Sequence, residues 1–185
     1  MSFWSAWGSA PAIPTFDHVV RLGQLREAVV HVLESNEGFG EVDRNNDGPL
    51  IRAIGGTPGN EWCALLAGYA WRRAHVLCGY PEPDWCYRRP GVLEVGAKNL
   101  GNAMAKAPGG VKFTDPSKCL PGDYAVWHRR LGPISGKGHI GTVLAKPGPD
   151  AIVETMEGNV GRLAKVRRFH HDVTKERFAF FAGLR

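Results

Sequence analysis

Gly138-His139-Ile140-Gly141-Thr142-Val143-Leu144-Ala145, the linker Lys146–Asp150, and Ala151-Ile152-Val153-Glu154-Thr155-Met156-Glu157 read as two strands joined by a loop. Pro147-Gly148-Pro149 punctuates them, and a five-residue hairpin loop is common. One register places His139 opposite Glu157, Gly141 opposite Thr155 and Val143 opposite Val153. Its other face pairs Ile140 with Met156 and Leu144 with Ile152. Both faces are chemically sensible except at Glu154, which would sit among apolar neighbours or at an edge. Side chains directly opposite have Cβ atoms ~5 Å apart, so this register predicts a carboxylate beside an imidazole.

Outward from the hairpin, Tyr124–Trp127, Val166–His170 and Phe178–Ala182 are further strand-like segments, broken by turns such as Pro121-Gly122. Upstream the period changes. Val19, Val20, Leu22, Leu25, Val29, Val32 and Leu33 recur at helical spacing over 17–35, with Thr15 or Asp17 as candidate caps. Residues 36–59 are rich in Gly, Asn, Asp and Pro and read as a long surface loop. A second helix starts near Asn60, its predicted N-cap, and runs to about Leu77. Cys63, Ala67, Ala70, Ala74 and Leu77 share one face. Residues 79–90 are a turn-rich connection. A third helix is predicted from Val92 to about Lys106, weakened by Gly96 and Gly101. Helices first and an antiparallel sheet afterwards is an α+β plan in one domain over residues 1–185, with 1–14 irregular.

Composition narrows the class. The chain has 185 residues, 43% hydrophobic and 22% charged, which excludes a disordered chain and allows a full core. No apolar run reaches the ~18 residues of a membrane span. The start, MSFWSAWGSAPAIP, lacks the basic and apolar regions of a secretory signal, so synthesis in the cytoplasm and delivery by another route is expected. The net charge of +5 suits an acidic polymer or an ordinary basic enzyme. There is no basic stripe interleaved with aromatics, which argues against nucleic acid. Cys63, Cys78, Cys86 and Cys119 form no CxxC pair and have no zinc-finger histidines. They predict neither a metal nor a disulfide scaffold.

Cys63 is the candidate nucleophile. Behind an N-cap at Asn60 it would lie in the first helical turn, where free N–H groups and the dipole favour a thiolate. Cysteine is also a common buried packing residue, so the position gains weight only from its partners. His139 opens a strand between Gly138 and Gly141, which leaves backbone room for a substrate; the other six histidines lack that glycine setting. Glu157 supplies an orienting carboxylate. Asn159, in Gly158-Asn159-Val160-Gly161, is a second candidate or a turn residue.

Asn60-Glu61-Trp62-Cys63-Ala64, then Pro121-Gly122-Asp123 before a strand ending in Trp127, then Gly138-His139-Ile140-Gly141, then Glu157-Gly158-Asn159 resembles the CHAP-type peptidoglycan hydrolases of the papain-like and NlpC-type superfamily. The resemblance runs from about Leu22 to the C-terminus. It implies a papain-like fold, with Cys63 as nucleophile, His139 as base and Glu157 as orienter, assisted by Asn159. It implies a monomer that needs no cofactor and cleaves amide bonds of bacterial peptidoglycan, acting on the cell wall after release, most like a phage endolysin. Trp62, Trp127, Trp85 and Asn60 are candidate substrate contacts. Rival expectations are an exported antibacterial effector with the same chemistry, accompanied by an immunity protein, and a non-catalytic wall-binding or phage structural protein. Some relatives bind calcium before the cysteine. Here Asp43-Arg44-Asn45-Asn46-Asp47-Gly48 matches half of an EF-hand loop, but Ile54 stands where the bidentate Glu belongs, and a solvated turn is expected.

Overall fold

The computed structural model describes residues 16–43, 45–128, 138–161 and 163–185. Among these residues four α-helices, α1 (Phe16–Glu34), α2 (Pro49–Ala53), α3 (Cys63–Leu77) and α4 (Ala97–Lys106), precede most of the strands. A small hairpin, β1 (Tyr87–Arg89) and β2 (Val92–Leu93), lies between α3 and α4. The main sheet is built from β3 (Gly110–Phe113), β4 (Tyr124–His128), β5 (Gly138–Val143), β6 (Ile152–Val160), β7 (Lys165–Asp172) and β8 (Phe178–Leu184). All its pairs are antiparallel, in the order β3-β8-β4-β5-β6-β7. The architecture is α+β. Among the described residues no helix is long and apolar enough to cross a membrane.

Alternation along the strands divides the core in two. Tyr124, Val126, Ile140, Met156, Val166, Phe180 and Ala182 face the helices. Ala125, Trp127, Val143, Val153 and Phe181 face the other way and form a second cluster with Cys119 and Val173. The sheet curls around this second cluster: Trp127 on β4 and His171 on β7 have two strands between them, yet their rings lie 4.5 Å apart.

α3 is the hub of the helical layer. Ala64, Leu65, Leu66, Ala67, Ala70, Trp71 and Ala74 are all buried, as expected of a helix covered on several sides. Trp71 donates from Nε1 to the Gly122 carbonyl at 3.0 Å, and the Tyr124 hydroxyl donates to the Ala67 carbonyl at 3.0 Å. α1 docks on α3 through Leu25, Val29, Val32 and Leu33. Five of the seven residues of the apolar stripe predicted for α1 pack inward, Leu22 at its edge, while Val19 and Val20 remain exposed. Leu77 is likewise exposed. Of the two cap candidates for α1, Thr15 lies outside the described residues and Asp17 falls inside the first turn.

Three local expectations change. The stretch 36–59 contains α2, and Ile51 and Ile54 are buried under it, so it is no pure surface loop. The third helix starts at Ala97, with Gly96 as N-cap, because Val92 and Leu93 pair with β1. Gly101 is a packing requirement: a Cβ there would lie 2.8 Å from Val126 Cγ2 and 3.0 Å from Phe180 Cε2. α4 can approach the sheet closely only without a side chain at that point.

Candidate active site

Cys63 is the first residue of α3, and the residue before it, Trp62, is the N-cap. Asn60 therefore does not cap the helix. Its side chain donates instead to Thr57 Oγ1 at 2.5 Å, closing a turn with Gly59, whose φ is 84°. The Trp62 carbonyl accepts from Leu66 N–H at 3.0 Å, while the N–H groups of the first turn have no intrahelical acceptor. The helix start is seated on the sheet by Trp62, which has 0% exposure. Its ring lies so close to β6 that a Cβ on Gly158 would come within 2.4 Å of Trp62 Cζ3. Gly158 thus allows α3 to bring Cys63 to the sheet.

His139 lies one residue into β5, opposite Trp127 of β4. Glu157 lies on β6 opposite Gly141, with Met156 opposite Thr142 and Thr155 opposite Val143. The predicted hairpin register is thus slipped by two residues. A two-residue slip keeps the same face inward, so His139 and Glu157 remain on one face as diagonal neighbours. The missing side chain at Gly141 closes the diagonal: a Cβ there would sit 2.7 Å from Glu157 Cγ. The glutamate passes over this gap, and its Oε2 meets His139 Nε2 at 2.7 Å. Glu154, which the sequence left in doubt, is ion-paired with Arg168 at 2.9 Å, and Arg168 also reaches Glu34 at 3.0 Å.

Glu157 holds Nε2, and Cys63 at the head of α3 acts on the same imidazole, raising its pKa. Burial works against a charged ring, but Cys63 and then Glu157 outweigh it, and His139 is raised from 6.5 to about 9. Burial also opposes ionisation of Glu157, yet hydrogen bonds from His139 and His171 prevail and lower it from 4.5 to about 2. A protonated imidazole between a sulfur and a carboxylate is suited to stabilising a thiolate and passing a proton to a leaving group.

A cleft of about 540 Å³ borders this pair, lined among others by Trp127, His139, Glu157, Asn159 and His171. Cys63 is 3% exposed and is not part of its lining. Asn159 has φ 63°, at an irregularity in the β6–β7 register between Glu157 and Val160. Asn is among the residues that tolerate this left-handed backbone, and such bulges re-aim side chains.

The other sequence candidates lie elsewhere. Trp62 is wholly buried and offers no surface to a substrate; its role is to seat α3. Trp127 is 6% exposed and floors the cleft. Trp85 packs edge-on against Trp71 and Tyr124. Asn60 borders a separate small depression with Thr57, Glu61 and Val95. Asp47 of the EF-hand-like loop is engaged by Arg52 Nε at 2.7 Å and by its neighbour Gly48 N–H at 2.9 Å. No cluster of three or more metal-ligating side chains occurs among the described residues.

His171 has no sequence signal that singles it out. Its Nε2 lies 2.5 Å from Glu157 Oε1, and its Nδ1 lies 2.7 Å from Glu176 Oε2. Only the alternation of β7 hints at it, by placing Phe169 and His171 on one face.

No family model and no curated protein matches this chain. A solved structure does: the crystal structure of Ly7917 superposes with a TM-score of 0.50 at 17% identity, over 86% of this chain and 62% of that one. This chain spans less than two thirds of that chain's length, and the likeness speaks for the fold alone.

Proposed function

We propose that the protein is a cysteine-dependent hydrolase of papain-like fold that cleaves amide bonds in bacterial peptidoglycan, as a CHAP-type lysis enzyme does. One observation carries the chemistry: the buried Glu157 carboxylate meets the His139 imidazole at 2.7 Å, and Cys63 at the head of α3 acts on that same ring. The choice of peptidoglycan rests on the resemblance of the Trp-Cys, Gly-His-Ile-Gly and Glu-Gly-Asn segments to that family.

In the proposed reaction the Cys63 thiolate attacks the carbonyl carbon of the amide, forming a C–S bond and an oxyanion. Free N–H groups at the start of α3 face the developing charge, the Cys63 N–H first among them. Collapse breaks the C–N bond while His139 gives its proton to the leaving amine. Water then attacks the thioester, His139 accepts its proton, and the acid product leaves with Cys63 restored. Glu157 holds the ring in place and stabilises its charged form throughout. The cleft side, with Asn159 and Trp127, receives the wall peptide.

The test is clearance of purified sacculi by wild type and by Cys63→Ala, with mass spectrometry of the released muropeptides. Wild type is expected to clear the suspension and create new amino termini, and the variant to lose at least about 10³-fold in rate. Equal clearance by both proteins would overturn cysteine catalysis. The low exposure of Cys63 favours a second reading, a wall-binding or structural protein in which the sulfur packs without reacting. Co-sedimentation with sacculi but no product from either protein would establish that alternative.

A further inference from the structure

Glu157 has two oxygens, and they are used differently. Oε2 faces His139 at 2.7 Å. Oε1 accepts from Thr155 Oγ1 at 2.6 Å and from His171 Nε2 at 2.5 Å. The second nitrogen of His171 faces Glu176, with Oε2 at 2.7 Å and Oε1 at 2.9 Å. An ionised carboxylate only accepts hydrogen bonds, so an imidazole between two of them donates from both nitrogens and carries a positive charge. Burial opposes that charge, but Glu157 and Glu176 overcome it and raise His171 above the ordinary histidine range. The Trp127 ring packs against both imidazoles, with centroids 6.1 Å from His139 and 4.5 Å from His171. The result is a hydrogen-bonded row, His139–Glu157–His171–Glu176, running from the imidazole on which Cys63 acts to the turn after β7.

We propose that His171 is a positioning residue of this site: by anchoring Oε1 it stops Glu157 from turning and presents Oε2 to His139. The inference rests on the pairing of Cys63 with His139. The other basic side chains around the same cleft are Lys175, Arg177 and the imidazole of His128, and Lys175 is tied to Asp172 at 2.6 Å. His171 therefore bridges the buried carboxylate to the surface, and it also holds part of the cleft wall.

The test reads Cys63 directly and needs no substrate. Iodoacetamide alkylation of Cys63 is followed by peptide mapping from pH 4 to pH 10 in wild type, His171→Leu and His171→Gln. In wild type, Cys63 is expected to react over a broad plateau with a distinct acid edge, as a thiolate paired with an imidazolium does. In His171→Leu the acid edge moves up by about one pH unit, about tenfold in rate on that limb. His171→Gln, which can donate to Oε1 without a charge, restores most of the plateau. If His171→Leu leaves the edge in place, or Gln behaves like Leu, the positioning role is wrong while the pairing stands. If wild type reacts with only the edge of an ordinary thiol, at about pH 8.5, the pairing of Cys63 with His139 fails and the inference falls with it. Should His171→Leu not fold by circular dichroism, Glu176→Gln is expected to move the edge the same way by about threefold in rate, roughly half a pH unit; an unmoved edge there overturns the proposal.

Discussion

Asp123 and Glu157 are both almost completely out of water, at 0% and 2% exposure, and they are held by different kinds of partner. Asp123 is gripped by Arg26 Nη1 at 2.9 Å, by Arg185 Nη2 at 2.8 Å and by Leu120 N–H at 3.0 Å. Arg26 also binds the Leu184 carbonyl at 2.5 Å and the Pro121 carbonyl. Even the backbone is fitted to this cluster: a Cβ on Gly183 would lie 2.0 Å from Asp123 Oδ1. Its cations do not titrate near neutrality, and it joins α1, the 121–123 turn and the end of β8. Glu157 is held by two histidines, whose imidazoles give up a proton far more readily than a guanidinium does, and one flank of its cluster borders a cleft. Burial with permanent charges serves to tie elements together, whereas burial with imidazoles leaves protons that can move.

The contrast can be tested by experiment. Asp123→Ala leaves two arginines facing a buried void, and a loss of about 3–5 kcal/mol is expected in urea unfolding. A loss under 1 kcal/mol would remove the structural half of the comparison. Gly141→Ala inserts a methyl 2.7 Å from Glu157 Cγ. It should displace the carboxylate from His139 and lower turnover on sacculi by about 10²-fold, while the urea midpoint falls far less than for Asp123→Ala.

A pH series separates the two clusters more finely. His139 stands near 9 in the folded protein against an ordinary 6.5. Its contribution to stability is complete below about 6.5 and is lost as pH rises through 9. Glu157 stands near 2 against 4.5. Its contribution is complete above about 4.5 and is lost as pH falls through 2. The melting-temperature difference between wild type and His139→Gln should therefore be greatest between about pH 4.5 and 6.5 and shrink on both sides. A difference that stays flat from pH 3 to pH 10 would show that the pair does not titrate as described. The smallest effect is expected at the surface. Arg168→Ala breaks contacts with Glu34, Glu37 and Glu154, but these groups are in water and the loss should stay below about 1 kcal/mol.

Much of this arrangement was legible before the fold was known. The change from helical to alternating period placed α3 and the central strands within a few residues, and the glycines around His139 marked it out from six other histidines. What misled was local chemistry read without its neighbours. Asn60 has the side chain of an N-cap but spends it on Thr57. Trp62 looks like a groove aromatic but is consumed in seating α3. β3 went unpredicted because Gly110–Phe113 is short and acquires its strand form by pairing with β8, about seventy residues later in the chain.

Residue order alone determined which strand face each side chain takes, since alternation is a property of the backbone. Because the register was misjudged by two, an even number, His139 and Glu157 still share a face. Only the tertiary structure decided that the glutamate crosses over Gly141, that Trp62 lodges against Gly158 to deliver Cys63, and that His171 reaches Glu157 from β7. Each of these depends on the curl of the sheet and on contacts between segments far apart in the chain, and no local pattern of residues encodes such contacts.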